Sequence, residues 1–153
     1  MRLDLAATAQ SLLAGQGRAT DELHTCLAIA QSPACEHAFV RIDAEQARRQ
    51  AADPANAGKP LAGLAVSIKD LFDIADQVTP AGSKVLADAP AAAHDSPAVA
   101  RLRAAGAALI GRTNMSEFAF SAVGVNPHFG TPANPADPRT PRIPGGSSSG
   151  AAV

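Results

Sequence analysis

The chain has 153 residues, one domain's worth at most. Hydrophobic residues make up 46% of it, enough for a core, but aromatics are only 3%, with neither Trp nor Tyr, so that core must rest on Ala, Leu, Val and Ile. A net charge of -1 gives no electrostatic reason to expect nucleic acid or an anionic membrane as partner.

Cys26 and Cys35 fit neither a CxxC redox spacing nor a zinc spacing, and two thiols do not make a secreted disulfide framework. His24, His37, His94 and His128 are scattered without HxxxH pairing, so neither a metal nor a cofactor is expected. The N-terminus carries Asp4 and lacks an unbroken apolar stretch, and no apolar run approaches a membrane span. A cytoplasmic location is the expectation.

In chain order, residues 3–14 carry Leu3, Leu5, Leu12 and Leu13 among alanines, and Gly15 closes this first helix. Thr20 or Asp21 caps a second, with Leu23, Leu27 and Ile29 as apolar positions, ending near Pro33. AFVRI (38–42) favours extended chain, and Asp43 with Gln46 resembles a capping box opening a third helix that Pro54 ends. Residues 1–59 read as a helical cover layer.

Residues 60–153 read as the start of an α/β core. In LAGLAVSIKD, Leu64, Val66 and Ile68 alternate with Ala65, Ser67 and Lys69, a strand period. Ser96 and Pro97 supply the N-cap and first position of a helix that Gly106 stops, and AALIG (107–111) follows as a buried strand. Strand, helix, strand in that order predicts a parallel α/β unit. Residues 124–146 are mostly Pro, Gly, Asn and Asp, a loop too long to be idle, and AAV after GGSSSG reads as the first turn of a helix.

Two places can carry chemistry. GGSSSG (145–150) is a glycine-flanked turn that can present a hydroxyl, cradle an anion, or serve only as a flexible linker. It lacks the lysine of a Walker A loop. It formally matches G-x-S-x-G with Ser148 as nucleophile, but that elbow needs a strand where PRIP stands. Lys69, at the end of an apolar strand, either reaches water or is a partly buried amine able to act as a base. Ser–Lys pairs are an established variant of the Ser–His–Asp logic.

GLAVSIKDLFD, AGS (81–83), GAALIGRTNMSEFAF, GTPANP and PGGSSSGAAV occur in one order that closely resembles the amidase-signature family, over residues 36–153. The resemblance implies an α/β fold with a mixed, mostly parallel sheet covered by helices, truncated here within a single incomplete domain. It places the catalytic lysine on Lys69 and, after a non-proline cis peptide, the relay serine on Ser147. The family's nucleophile is a serine in a later motif, so the resemblance implies that it lies beyond Val153 and that the 153 residues alone are inactive. Asn114 and Glu117 are expected to cap and anchor a helix after the second strand, Asp70 to be a local hydrogen-bonding partner, and residues 120–130 to line an acyl pocket.

The activity so implied is hydrolysis of a small carboxamide to a carboxylate and ammonia or an amine. One alternative is the amidase-type subunit of a glutamyl- or aspartyl-tRNA amidotransferase, the only reading that calls for partner subunits. Another is a non-catalytic remnant or binding module. A small-molecule amide is the partner expected; a homodimer is compatible with this reading, and neither nucleic acid nor membrane is part of it.

Overall fold

The computed structural model describes residues 4–137 and 139–153. Its elements are α1 (Leu5–Leu13), α2 (Ala19–Ala30), β1 (Phe39–Ile42), α3 (Ala44–Ala52), β2 (Ala65–Lys69), α4 (Pro97–Ala104) and β3 (Ala108–Thr113), joined by short 3-10 turns and loops. The expected start of the first helix at Leu3 lies outside the described residues.

The sheet has the order β1-β3-β2. β2 and β3 run parallel, with α4 in the connection between them, and β1 pairs antiparallel with β3, so the sheet is mixed. All six residues of β3 are buried, as a central strand requires. On one face Ile68, Ile74, Val99, Ala107 and Leu109 form a core under α4. On the other, Leu23 and Leu27 of α2 and Ala47 of α3 close over Ile110. α2 and α3 thus pack on this face of the sheet, while β1, from the same stretch of chain, joins the sheet itself.

Local signals placed most boundaries. Gly15 and Gly106 follow the C-caps of α1 and α4 with φ of 74° and 87°, the left-handed position that glycine fills at least cost. Capping followed the sequence less closely. α2 starts at Ala19 behind Arg18, ahead of the expected Thr20 or Asp21, and no side chain caps it. Asp43 stands at the N-cap of α3 but makes no capping bond, because its carboxylate is taken by Arg41 and Gln77. No α-helix follows β3 among the described residues; Glu117–Ala119 is a single 3-10 turn.

Two glycines fix how closely backbones meet. A Cβ on Gly111, in β3, would collide with the Arg41 carbonyl oxygen of β1, and one on Gly150 would collide with the Ala38 carbonyl oxygen. Gly111→Ala should force β1 off the sheet and lower stability by about 1–3 kcal/mol, read as a fall in the thermal midpoint. Gly15→Ala, where a Cβ meets nothing within 4 Å, serves as the comparison and should cost less.

Candidate functional site

The site forms where the carboxyl ends of the two parallel strands meet the Gly/Ser turn, a usual place for a ligand in an α/β sheet. Lys69 is the last residue of β2 and is half-buried. Its Nζ donates to the Ser147 Oγ at 2.8 Å, across 78 residues of sequence. Desolvation by burial pushes the Lys69 amine below the ordinary lysine value. The two candidates read separately from the sequence are thus one constellation.

Ser147 is held by its backbone. The Gly146–Ser147 peptide bond is cis. The Ser116 N–H donates to the Ser147 carbonyl at 2.9 Å, and the Gly146 N–H donates to the Ala122 carbonyl at 2.9 Å. An isolated bridge joins Val123 to Gly145, and the Ser116 hydroxyl donates to the Val123 carbonyl at 2.6 Å. At the end of the turn, the Gly150 N–H donates to the Asn114 carbonyl at 2.9 Å. These bonds press the serine turn against the segment that follows β3. A freely flexible linker does not make them.

The other two serines differ from Ser147. Ser148 is the N-cap of the 3-10 turn Ser149–Ala151, with no strand in front of it, so the elbow geometry is absent. Ser149 is fully buried, and its Oγ has no hydrogen-bond partner among the described residues.

The residue after the lysine belongs to a charged pair. Asp70 is completely buried, accepts the Gly82 N–H at 2.9 Å and lies 3.4 Å from the Arg112 Nη1, itself 2% exposed. Burial pushes the Asp70 carboxyl above its ordinary range, while the Gly82 N–H and Arg112 pull it back. Arg112 also donates to the Gln77 Oε1 at 2.9 Å and the Phe72 carbonyl at 3.1 Å. Asp70 is thus the hydrogen-bonding partner expected, with an arginine that sequence reasoning left aside. The available signal was Arg112 itself, a lone cation directly after the apolar run 107–110 and Gly111.

Asn114 is an anchor of a different kind from the helix cap expected. Its Nδ2 donates to the carbonyls of His37 at 2.9 Å and Gly130 at 2.8 Å, and its Oδ1 accepts the Met115 N–H at 2.8 Å. It ties the strand end to two distant loops. Phe120 is 93% exposed and Val123 and Val125 are exposed too, whereas Gly124 and Asn126 in the same stretch are buried. Among the described residues no cluster of His, Cys, Asp or Glu could hold a metal, and no helix is long and apolar enough to cross a membrane.

Known proteins share this fold. The amidase family profile matches residues 22–153. A glutamyl-tRNA(Gln) amidotransferase subunit of Mycolicibacterium vanbaalenii is 35% identical over 165 residues, which takes in 100% of this chain and 32% of that protein. The AtzE subunit of 1-carboxybiuret hydrolase from Pseudomonas sp. is 50% identical over 96 residues, 61% of this chain and 21% of that protein. A solved structure from a vestigial protein complex bearing on the origins of an s-triazine catabolic enzyme superposes with a TM-score of 0.87 at 38% identity, covering 97% of this chain and 34% of that one. The chain spans about a third of the length of the first of these relatives and of the solved structure. With a family-wide match across most of its length and the same fold at 38% identity, the chain belongs to the amidase (amidase-signature) family.

Proposed function

We propose that the protein carrying this sequence hydrolyses a small carboxamide, with Lys69 as base, Ser147 as proton relay and a nucleophilic serine supplied from outside the 153 residues. The observation that carries the reading is the 2.8 Å approach of the Lys69 Nζ to the Ser147 Oγ. A hydroxyl at that distance can pass its proton to a neutral amine while taking one from an attacking serine. Attack on the amide carbonyl then gives a tetrahedral intermediate. The proton returns through Ser147 to the departing nitrogen, and ammonia or an amine leaves. Water enters by the same relay, releases the carboxylate and restores the serine.

Such a relay works only with an uncharged lysine, because an ammonium cannot accept a proton. Burial, the cause that lowers the Lys69 pKa, favours the form required. The exposed apolar side chains of Phe120, Val123 and Val125 would meet the acyl part of the substrate.

One observation favours a second reading, in which the protein works as the amidase-type member of a tRNA-dependent amidotransferase. The match to the glutamyl-tRNA(Gln) amidotransferase protein runs through the whole of this chain. Purified protein that releases ammonia from simple carboxamides unaided would support the hydrolase. Activity that appears only with partner subunits and charged tRNA would support the amidotransferase.

In the complete enzyme, Lys69→Ala and Ser147→Ala should each lower kcat by about three orders of magnitude or more, with circular dichroism unchanged. Near-normal amide hydrolysis in either variant would sink the assignment. The pH profile gives a separate check. Activity should rise as pH climbs through the Lys69 pKa, with that limb centred below the ordinary lysine value; a limb at or above it would contradict a desolvated base.

A further inference from the structure

Beyond the lysine and serine stands a second cluster of polar side chains. The Ser83 Oγ donates to the Glu117 Oε1 at 2.6 Å, and the His128 Nε2 lies 2.9 Å from the same oxygen. Ser83 is completely buried, whereas the Glu117 side chain is 36% exposed and that of His128 29%. One carboxylate oxygen therefore gathers two donors from loops 34 and 11 residues away.

The segment holding Glu117 is the one that grips the relay serine. Ser116 donates its N–H to the Ser147 carbonyl, and Phe118 donates its own to the Ala81 carbonyl, both at 2.9 Å. Asn126 donates to the carbonyls of Gly82 at 2.9 Å and Met115 at 2.7 Å, and its Oδ1 accepts the His128 and Phe129 N–H groups. Residues 115–118 are thus pinned between the 81–83 turn and the 126–129 turn. Phe118 and Ala119 both have positive φ, 50° and 60°, a backbone state that non-glycine residues keep only where the surroundings over-determine it.

We infer that Glu117 is a positioning residue: with Ser83 and His128 it clamps the 115–118 segment so that the Ser116 N–H holds the Ser147 carbonyl and aims the Ser147 hydroxyl at Lys69. The inference rests on the reading of Ser147 as a relay. It assigns Glu117 no contact with substrate. What the clamp needs is an acceptor oxygen in the right place, so a glutamine can replace the glutamate.

The test uses the complete enzyme, with a small carboxamide substrate, ammonia release as the assay, and Lys69→Ala and Ser147→Ala run alongside. Glu117→Ala should lower kcat by about tenfold to a hundredfold, the cost of a misplaced group, with KM changed by no more than about twofold. Glu117→Gln should recover most of that loss. Should Glu117→Ala fail to fold, the double variant Ser83→Ala/His128→Gln decides in its place and should show the same split. Unchanged kcat, a rise in KM alone, or a glutamine variant as impaired as the alanine variant would each overturn the clamp. If the Lys69 and Ser147 variants stay active, the relay itself fails; if they are inactive while Glu117→Ala is normal, only the clamp does.

Discussion

An amine and a hydroxyl 78 residues apart in sequence meet at 2.8 Å only if the end of β2 and the Gly/Ser turn are both immobilised. Much of the remaining structure serves that meeting. Pairing with the buried strand β3 fixes Lys69, since each residue of β2 has a partner there and Lys69 stands opposite Thr113. β3 also continues into Asn114, Met115 and Ser116, whose backbone and side-chain bonds receive the serine turn. A single strand thereby sets the positions of both side chains.

Two kinds of polar burial sit on either side of this axis. Asn114 and Asn126 place both their amide donors and their carbonyl acceptors in hydrogen bonds, so their burial leaves little unsatisfied polarity. Asp70 and Arg112 form a buried ion pair whose Arg112 Nη2 finds no partner among the described residues. Removing one member of such a pair is more damaging than replacing both, because the survivor remains charged in a place that water cannot reach. The amide hubs fasten loops together; the ion pair joins β3 to the residue that follows Lys69 in the chain.

The elements that could be read from the sequence are those whose cause is local. Alternation along 64–69, glycines after helix ends and Pro54 after α3 act through the residues beside them, and each appears where the pattern put it. Lys69 and Ser147 were nameable because their motifs stand in a specific order. Other features depend on contacts between distant segments. Asp43 has the right identity for a cap, yet Arg41 and Gln77 claim its carboxylate. TNMSEF looks like the start of a helix, but Asn114 spends its side chain on His37 and Gly130, and the chain turns away with positive φ at Phe118. No local pattern announces that Ser83, Glu117 and His128 share an oxygen.

The scarcity of aromatic residues has an evolutionary side. Ala47 and Ala108 are completely buried and Ala107 is 3% exposed, so helices and sheet approach one another through methyl groups. A larger side chain in that layer would have to push secondary-structure elements apart, and with them the strand that aims the lysine. The rim is different: the side chains of Phe120, Val123 and Val125 are exposed among the described residues. Among the described residues, a change of side chain there disturbs less packing than one at Ala47 or Ala108. Within this stretch of chain, side chains can thus change on the rim while the Lys69–Ser147 contact stays as it was.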